Sequence, residues 1–287
     1  MDLPKFLQFE SSTRCSGRCI MCPRDRVKRH SMRHEVFKVI LDKIVPYVND
    51  ICPFLYGEPA EDINLIYRLG KLKTKNPEAR ITLYSNMARW EKEDLELIVL
   101  NEEVDFLNMS FYGPTPELYA KYQPGFNWIE TRQNIRYLLD YMRVTGKKKP
   151  YLTFHYLITE DLIKAFPIFE QDWYRDIKIG MVSYDTFHGA VQDLSDDKIT
   201  KQYFIERELR MACKRPTNTM TILSNGDVVP CCIDFKPEMV MGNILEQEPI
   251  DIWNNNRFQE LRWKLEHHRW NELTLCNNCN VWRWHDA

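Results

Sequence analysis

The sequence predicts an α/β protein built on parallel strands, followed by a smaller module of different texture. Three observations carry this reading. Six short β-like runs alternate with longer helix-like runs over the first 190 residues. A polar stretch then separates them from a hairpin-like segment. The cysteines fall into two groups that match the two halves.

The strand-like runs are Lys5 to Glu10, Asp50 to Leu55, Arg80 to Ser85, Val104 to Ser110, Tyr151 to Leu157 and Ile177 to Val182. Amphipathic stretches lie between them: Glu35 to Val48, Ile63 to Thr74, Glu91 to Leu100, Trp128 to Thr145 and Thr159 to Trp173. Their apolar residues recur at three- and four-residue spacing, which gives a helix one face to bury. Strands that each precede a helix point to a parallel sheet or barrel, with functional residues at the strands' C-terminal ends. Residues 191–210, with Gln192, Asp193, Ser195, Asp196, Asp197 and Lys198, read either as a bridge between modules or as a solvated helix. Beyond them, Met220 to Leu223 and Val228 to Cys231 flank Ser224-Asn225-Gly226-Asp227, a β-hairpin around an Asn-Gly turn. A helix is expected from Ile250 to His267, then a cysteine pair in a polar loop.

Composition narrows the function classes. With 39 basic and 41 acidic side chains the formal net charge of the 287-residue chain is −2. That balance predicts neither nucleic acid nor an anionic membrane as partner. No apolar run approaches the roughly 18 to 20 residues that span a bilayer. Met1-Asp2-Leu3-Pro4-Lys5 lacks the pattern of a signal peptide. A cytoplasmic protein is expected. Nine cysteines in such a chain argue for metal or redox chemistry over a disulfide framework.

Cys15, Cys19 and Cys22 follow the first strand on one loop, spaced by three and then two residues. Three thiolates so close can wrap a cube of iron and sulfide and leave one iron open to another ligand. A zinc site would need a fourth donor from elsewhere. The second group is Cys213, Cys231, Cys276 and Cys279, with the hairpin turn at Gly226 bringing the first two together. Four thiolates suit zinc and an iron–sulfur cluster equally. Cys52 stands alone inside the second strand, where a core position is expected.

The first cysteine spacing, at this position, resembles that of the radical S-adenosylmethionine (SAM) superfamily over residues 1 to about 190. The resemblance implies a partial (β/α)6 TIM-like barrel and a [4Fe-4S] cluster on Cys15, Cys19 and Cys22 whose open iron binds SAM. Tyr56-Gly57-Glu58-Pro59 after the second strand resembles the family's Gly-Glu-Pro motif for the SAM amino group. A glycine allows close backbone approach and an acidic neighbour suits a cationic amine. By the same resemblance Ser85-Asn86 and Ser110, at the ends of strands three and four, are SAM contacts. Met21 stands where the family has an aromatic beside adenine; a flexible apolar side chain can fill that place.

The run Asn225 to Cys231, then Gly242-Asn243-Ile244 and Asp251-Ile252-Trp253, resembles the SPASM/twitch extension of this superfamily. That implies a second, auxiliary [4Fe-4S] cluster on Cys213, Cys231, Cys276 and Cys279. The expected organisation is a barrel over 1–190, a bridge over 191–210 and the SPASM/twitch domain over 211–287. The C-terminal half is most similar to the 2-deoxy-scyllo-inosamine dehydrogenase type, which abstracts a hydrogen atom from a carbinol carbon.

The implied activity is hydrogen-atom abstraction from a hydroxylated small molecule such as a sugar, aminocyclitol or glycoside. The product is a ketone or an epimer, and a flavodoxin- or ferredoxin-like protein supplies electrons. Cys232, beside a cluster ligand, is a thiol able to return a hydrogen atom, and it is also a small buried hydrophobe in other settings. His188, in the loop after strand six, is a candidate base. Tyr56 and His155 are expected near the barrel mouth. Trp263, Trp270, Trp282 and Trp284 are expected to pack the small domain.

The rival reading is radical modification of a ribosomal peptide. The first cysteine at position 15 leaves little sequence before it for a peptide-recognition domain. A non-catalytic iron–sulfur or zinc protein is disfavoured by the intact Gly57-Glu58-Pro59.

Overall fold

A computed structural model describes residues 2–22, 29–183, 210–277 and 279 of the chain. Six strands lie side by side, parallel and in sequence order: β1 (Phe6–Phe9), β2 (Asp50–Cys52), β3 (Arg80–Ser85), β4 (Phe106–Met109), β5 (Tyr151–Ile158) and β6 (Lys178–Ser183). Sequential parallel pairing follows from the helices that return the chain between strands, α1 (His34–Lys43), α2 (Leu65–Lys75), α3 (Lys92–Asn101), α5 (Trp128–Thr145) and α6 (Glu160–Trp173). This is the α/β partial barrel expected from the sequence.

Helix boundaries follow local chemistry. Asn127 caps α5, its Oδ1 accepting from Ile129 N and Glu130 N, and Gly146 at φ 69° ends it in the left-handed conformation. The stretch expected as a helix from Glu35 to Val48 stops at Lys43. Pro46 tightens the next residues into a 3₁₀ turn, Val45–Tyr47. Helix α4 (Pro116–Tyr122) went unforeseen, with Thr115 as N-cap and Pro116 at its first position.

The pleat sorts side chains into two faces. Ile81, Leu83, Leu107, Met109, Phe154 and Tyr156 point outward into the helices and are fully buried. Behind β4 and β5, Phe111, Phe154, Phe169 and Trp173 form an aromatic cluster with centroids 5.0 to 6.3 Å apart. The opposite face carries Gln8, Cys52, Thr82, Tyr84, Asn108, Thr153 and His155. It lines the lumen, and most of these residues are only partly buried.

The second half of the chain joins the same sheet. After a short helix, α7 (Arg215–Asn218), strand β7 (Thr219–Ile222) adds parallel to the free edge of β1, with Phe6 opposite Thr219 and Phe9 opposite Ile222. β8 (Asp227–Val229) and β9 (Gly242–Asn243) follow antiparallel, the β7–β8 hairpin turning at Gly226 with φ 97°. Nine strands therefore form one sheet. The buried Glu10 carboxylate, just beyond β1, accepts from Ser224 N and Oγ at 3.2 and 2.7 Å and locks the hairpin to the barrel.

The single helix expected from Ile250 to His267 is two, α8 (Pro249–Trp253) and α9 (Asn256–Glu266). Asn255 breaks it by acting as an N-cap for Phe258 N. Trp270 packs against the core, whereas Trp263, expected to be packed, is 45% exposed and stacks on His267. Trp282, Trp284, His188 and residues 191–209 lie outside the described residues. No helix among the described residues is long and apolar enough to cross a membrane.

Candidate functional site

The loop after β1 is held by backbone pairing from both sides. Thr13 N donates to His30 O and Met32 N to Ser11 O, each at 2.9 Å. Buried Arg68, paired with Asp62, donates to Ser11 O and Met32 O. Glu61 Oε1 accepts from Ser16 N at 2.6 Å, next to Cys15. Cys15, Cys19 and Cys22 form no disulfide and lie within electrostatic reach of one another.

Gly57 shows why the Gly-Glu-Pro turn needs glycine. Its φ is 97°, and a Cβ there would lie 2.5 Å from Ser12 O and 2.9 Å from Arg14 O. Glu58 N donates to Arg14 O at 2.7 Å. The close approach is thus between the turn and the backbone that leads into Cys15. Glu58 is 2% exposed and cross-links the ends of β2 and β3. Its carboxylate accepts from Ser85 Oγ at 2.5 Å and Asn86 N at 2.8 Å. Burial pushes its pKa up to about 7 in spite of these donors.

Ser85 Oγ also accepts from Trp90 Nε1 and Met87 N, so its hydroxyl is engaged within the protein. Asn86 Oδ1 accepts from Ala88 N. Ser110 pairs through its backbone with Ser85 and with the Gln123 side chain. Met21 is buried in the main core.

The second group assembles from the hairpin and the C-terminal segment. Cys231, Cys276 and Cys279 are in mutual electrostatic reach, as are Cys276 and Cys213. Cys213 Sγ accepts from Arg215 N, and Cys231 Sγ from Ile233 N. Arg210 holds the far side, donating to Cys276 O at 2.8 Å and stacking on Trp270. Asp234 folds the loop after Cys232 by accepting from Glu238 N and Met239 N.

Tyr56 joins the two groups. Its hydroxyl donates to the Cys232 carbonyl, its ring meets Phe235 edge-on, and Cys22, Cys231 and Cys232 all lie in its electrostatic surroundings. Arg215, not singled out in the sequence, reaches from α7 to Gln8, donating to Oε1 at 3.0 Å, while Gln8 Nε2 donates to Phe54 O. Tyr84, Cys231 and Cys232 share its electrostatic surroundings. Tyr84 meets His155 edge-on at 5.1 Å, and burial pulls the His155 pKa down to about 4, so the imidazole is neutral at pH 7. Cys52, buried as expected, belongs to this lumen wall rather than to the outer core; Arg215 and Cys232 lie within its reach.

The donor sets fit iron–sulfur centres. Burial first, then neighbouring charges, pushes the Cys15 and Cys276 thiols up to about 12; Cys19 and Cys231 also rise. Crowded thiols of this kind become thiolates only when a cationic core replaces their protons. Among the described residues no three Cys, His, Asp or Glu side chains converge as ligands of one ion. Three thiols on one loop and four more between the hairpin and the C-terminal segment are donor sets of the kind that hold iron–sulfur clusters.

Comparison with known proteins agrees with this geometry. The radical SAM superfamily model matches residues 9–165, and the chain belongs to that superfamily of enzymes. The model of an iron–sulfur cluster-binding domain, SPASM, matches residues 213–280. Radical SAM proteins use SAM and a [4Fe-4S] cluster, and SPASM domains bind additional iron–sulfur clusters.

Among individual relatives, the chain is 25% identical to the S-adenosyl-L-methionine-dependent 2-deoxy-scyllo-inosamine dehydrogenase of Niallia circulans. The match spans 279 residues, 96% of this chain and 92% of the relative. Two solved structures share the fold. BtrN in complex with AdoMet and 2-DOIA has TM-score 0.62 at 21% identity, covering 97% of this chain and 94% of its own. Streptococcus suis SuiB bound to precursor peptide SuiA has TM-score 0.67 at 15% identity, covering 91% of this chain and 67% of its own.

Proposed function

We propose that this enzyme abstracts a hydrogen atom from a carbinol carbon of a hydroxylated small molecule, a sugar, aminocyclitol or glycoside, in the lumen between the two cysteine groups. The observation that carries the reading is the polar lumen wall. Gln8, Tyr84, Asn108, Thr153 and His155 offer donors and acceptors to hydroxyl groups, with Arg215 and Cys232 at the hairpin side. The relative that spans nearly the whole chain is named for acting on an aminocyclitol, which supports the same class.

Cys15, Cys19 and Cys22 hold the SAM-binding cluster in this reading, and Cys213, Cys231, Cys276 and Cys279 hold the auxiliary one. Bound there, SAM and its cluster supply a 5′-deoxyadenosyl radical. The chain's own residues do the rest. Gly57, Glu58 and Pro59 shape the SAM amino-group site, with Glu58 holding Asn86 in place. Met21 from the cysteine loop, with Ser85 and Ser110 at the ends of β3 and β4, completes the SAM surroundings. Neutral His155 accepts a hydrogen bond from a substrate hydroxyl, and Arg215 donates to its oxygen.

The substrate radical has two exits. Loss of the hydroxyl proton to water and of one electron to the auxiliary cluster that Cys213, Cys231, Cys276 and Cys279 would hold gives a ketone. Transfer of the Cys232 S–H hydrogen to the opposite face gives an epimer and a thiyl, which an external electron and proton restore. A flavodoxin- or ferredoxin-like protein is the proposed electron source, and the cytoplasm the proposed compartment. Residues 1–190 form the barrel unit, 191–210 the bridge and 211–287 the second unit in this proposal.

The test is anaerobic turnover with SAM and candidate glycosides in deuterated water, read by mass spectrometry. Loss of two hydrogens, with one 5′-deoxyadenosine per turnover, identifies dehydrogenation. One deuterium in a product of otherwise unchanged mass, abolished by Cys232→Ala, identifies epimerisation. Substrate-dependent 5′-deoxyadenosine with a peptide alone would reject the small-molecule reading.

A further inference from the structure

We propose that Asn134 is a positioning residue for SAM: by bonding the Met87 carbonyl it holds the turn after β3 in a left-handed conformation, and so fixes Ser85, Asn86 and Glu58 for binding. The proposal rests on the reading of these three residues as SAM surroundings.

Met87 has φ 63°, which glycine reaches freely and a side chain of this size rarely adopts. The turn closes around it. Met87 N donates to Ser85 Oγ at 2.9 Å and Ala88 N to Asn86 Oδ1 at 2.8 Å. Trp90 Nε1 donates to the same Ser85 Oγ at 2.7 Å, and that hydroxyl donates in turn to Glu58 Oε1. The one donor and two acceptor sites of the Ser85 hydroxyl are thus all used. Asn86 N donates to Glu58 Oε2. The groups that hold the Gly-Glu-Pro carboxylate therefore sit at the start of a turn that needs one unfavourable dihedral angle. Because Asn86 Oδ1 is the acceptor, its Nδ2 is left as a donor, without a partner among the described residues.

Strained backbone persists only where its surroundings over-determine it. Two contacts do so here. The Met87 side chain is fully buried in the main core. Asn134, half-buried on α5, donates from Nδ2 to Met87 O at 2.9 Å. One peptide unit is thereby held at both ends, its carbonyl by Asn134 and its N–H by Asn86.

The test measures SAM affinity by equilibrium binding to the oxidised, reconstituted protein with both centres loaded. Asn134→Leu removes the donor and keeps the size. If the turn then holds its geometry about one tenth of the time, the apparent Kd for SAM rises about tenfold. Adding Met87→Gly should return the Kd to within about twofold of wild type, since glycine takes the left-handed φ without the brace. A merely structural role predicts the reverse, because Met87→Gly removes a buried side chain and adds damage.

An unchanged Kd in Asn134→Leu overturns the proposal, and so does a raised Kd that Met87→Gly fails to restore. If Asn134→Leu loses iron, the double variant decides: regained iron and SAM affinity support the brace, and their absence overturns it. A wild type that loads iron at both centres yet binds no SAM rejects the reading of the site itself, and the proposal with it.

Discussion

The Tyr56 hydroxyl donates to the Cys232 carbonyl across 176 residues of sequence, tying the turn after β2 to the hairpin that carries the second cysteine group. Tyr56 directly precedes Gly57, whose backbone presses on the loop into Cys15. One short segment therefore spaces both cysteine groups and orients the peptide that presents the Cys232 thiol. Tyr56→Phe leaves a partly buried carbonyl without this donor, which costs about 1 kcal/mol. Iron content should stay complete while the ratio of ketone to deuterated epimer changes. The same ratio in wild type and variant would show that the tether does not govern Cys232.

Gly57→Ala should be far more damaging. The left-handed φ of 97° alone costs an alanine about 1 to 2 kcal/mol, and the methyl meets backbone oxygens that cannot move aside. Iron at the first cysteine group should fall while iron at the second is retained. Iron analysis with Mössbauer spectroscopy reads the two separately.

Arg215→Gln keeps the backbone N–H that reaches Cys213 Sγ and removes the guanidinium held by Gln8. Losing a charged hydrogen bond to substrate weakens its binding about tenfold or more. KM for the glycoside should rise while substrate-free SAM cleavage stays at the wild-type rate. Steady-state kinetics combined with a potentiometric titration distinguishes the roles. A shifted auxiliary potential with unchanged KM would make Arg215 a counter-ion of the cluster instead.

His155 makes stability fall in acid. Its pKa is about 4 in the fold and about 6.5 when unfolded, so between those values the unfolded chain binds the extra proton. The stabilisation is complete above pH 6.5 and is lost as pH falls towards 4. At about 1.4 kcal/mol per pKa unit the full span is about 3 kcal/mol. His155→Asn should flatten denaturant-measured stability over that window. An unchanged slope would mean that the imidazole is not held neutral.

Much of the fold is legible in local sequence. The α5 limits Trp128 and Thr145 match the periodicity because its cap and its terminating glycine are adjacent in the chain. The first cysteine group and the Gly-Glu-Pro turn are legible for the same reason, since their chemistry lies within a few residues. α4 carried a readable signal too, Thr115-Pro116, but seven residues are too few for periodicity to reveal a buried face.

The parallel α/β class, the first thiol set and the superfamily are written in short spacings or in strand–helix alternation, and linear reading reaches them. Only the folded chain could show that β7 extends the edge of β1 and that Arg215 meets Gln8, 207 positions away. Folding likewise brought Tyr56 to Cys232. Each of these depends on which buried donor finds an acceptor once the strands are in register. That pairing is set by desolvation and by the shape of the curved sheet, and a linear pattern holds no trace of it.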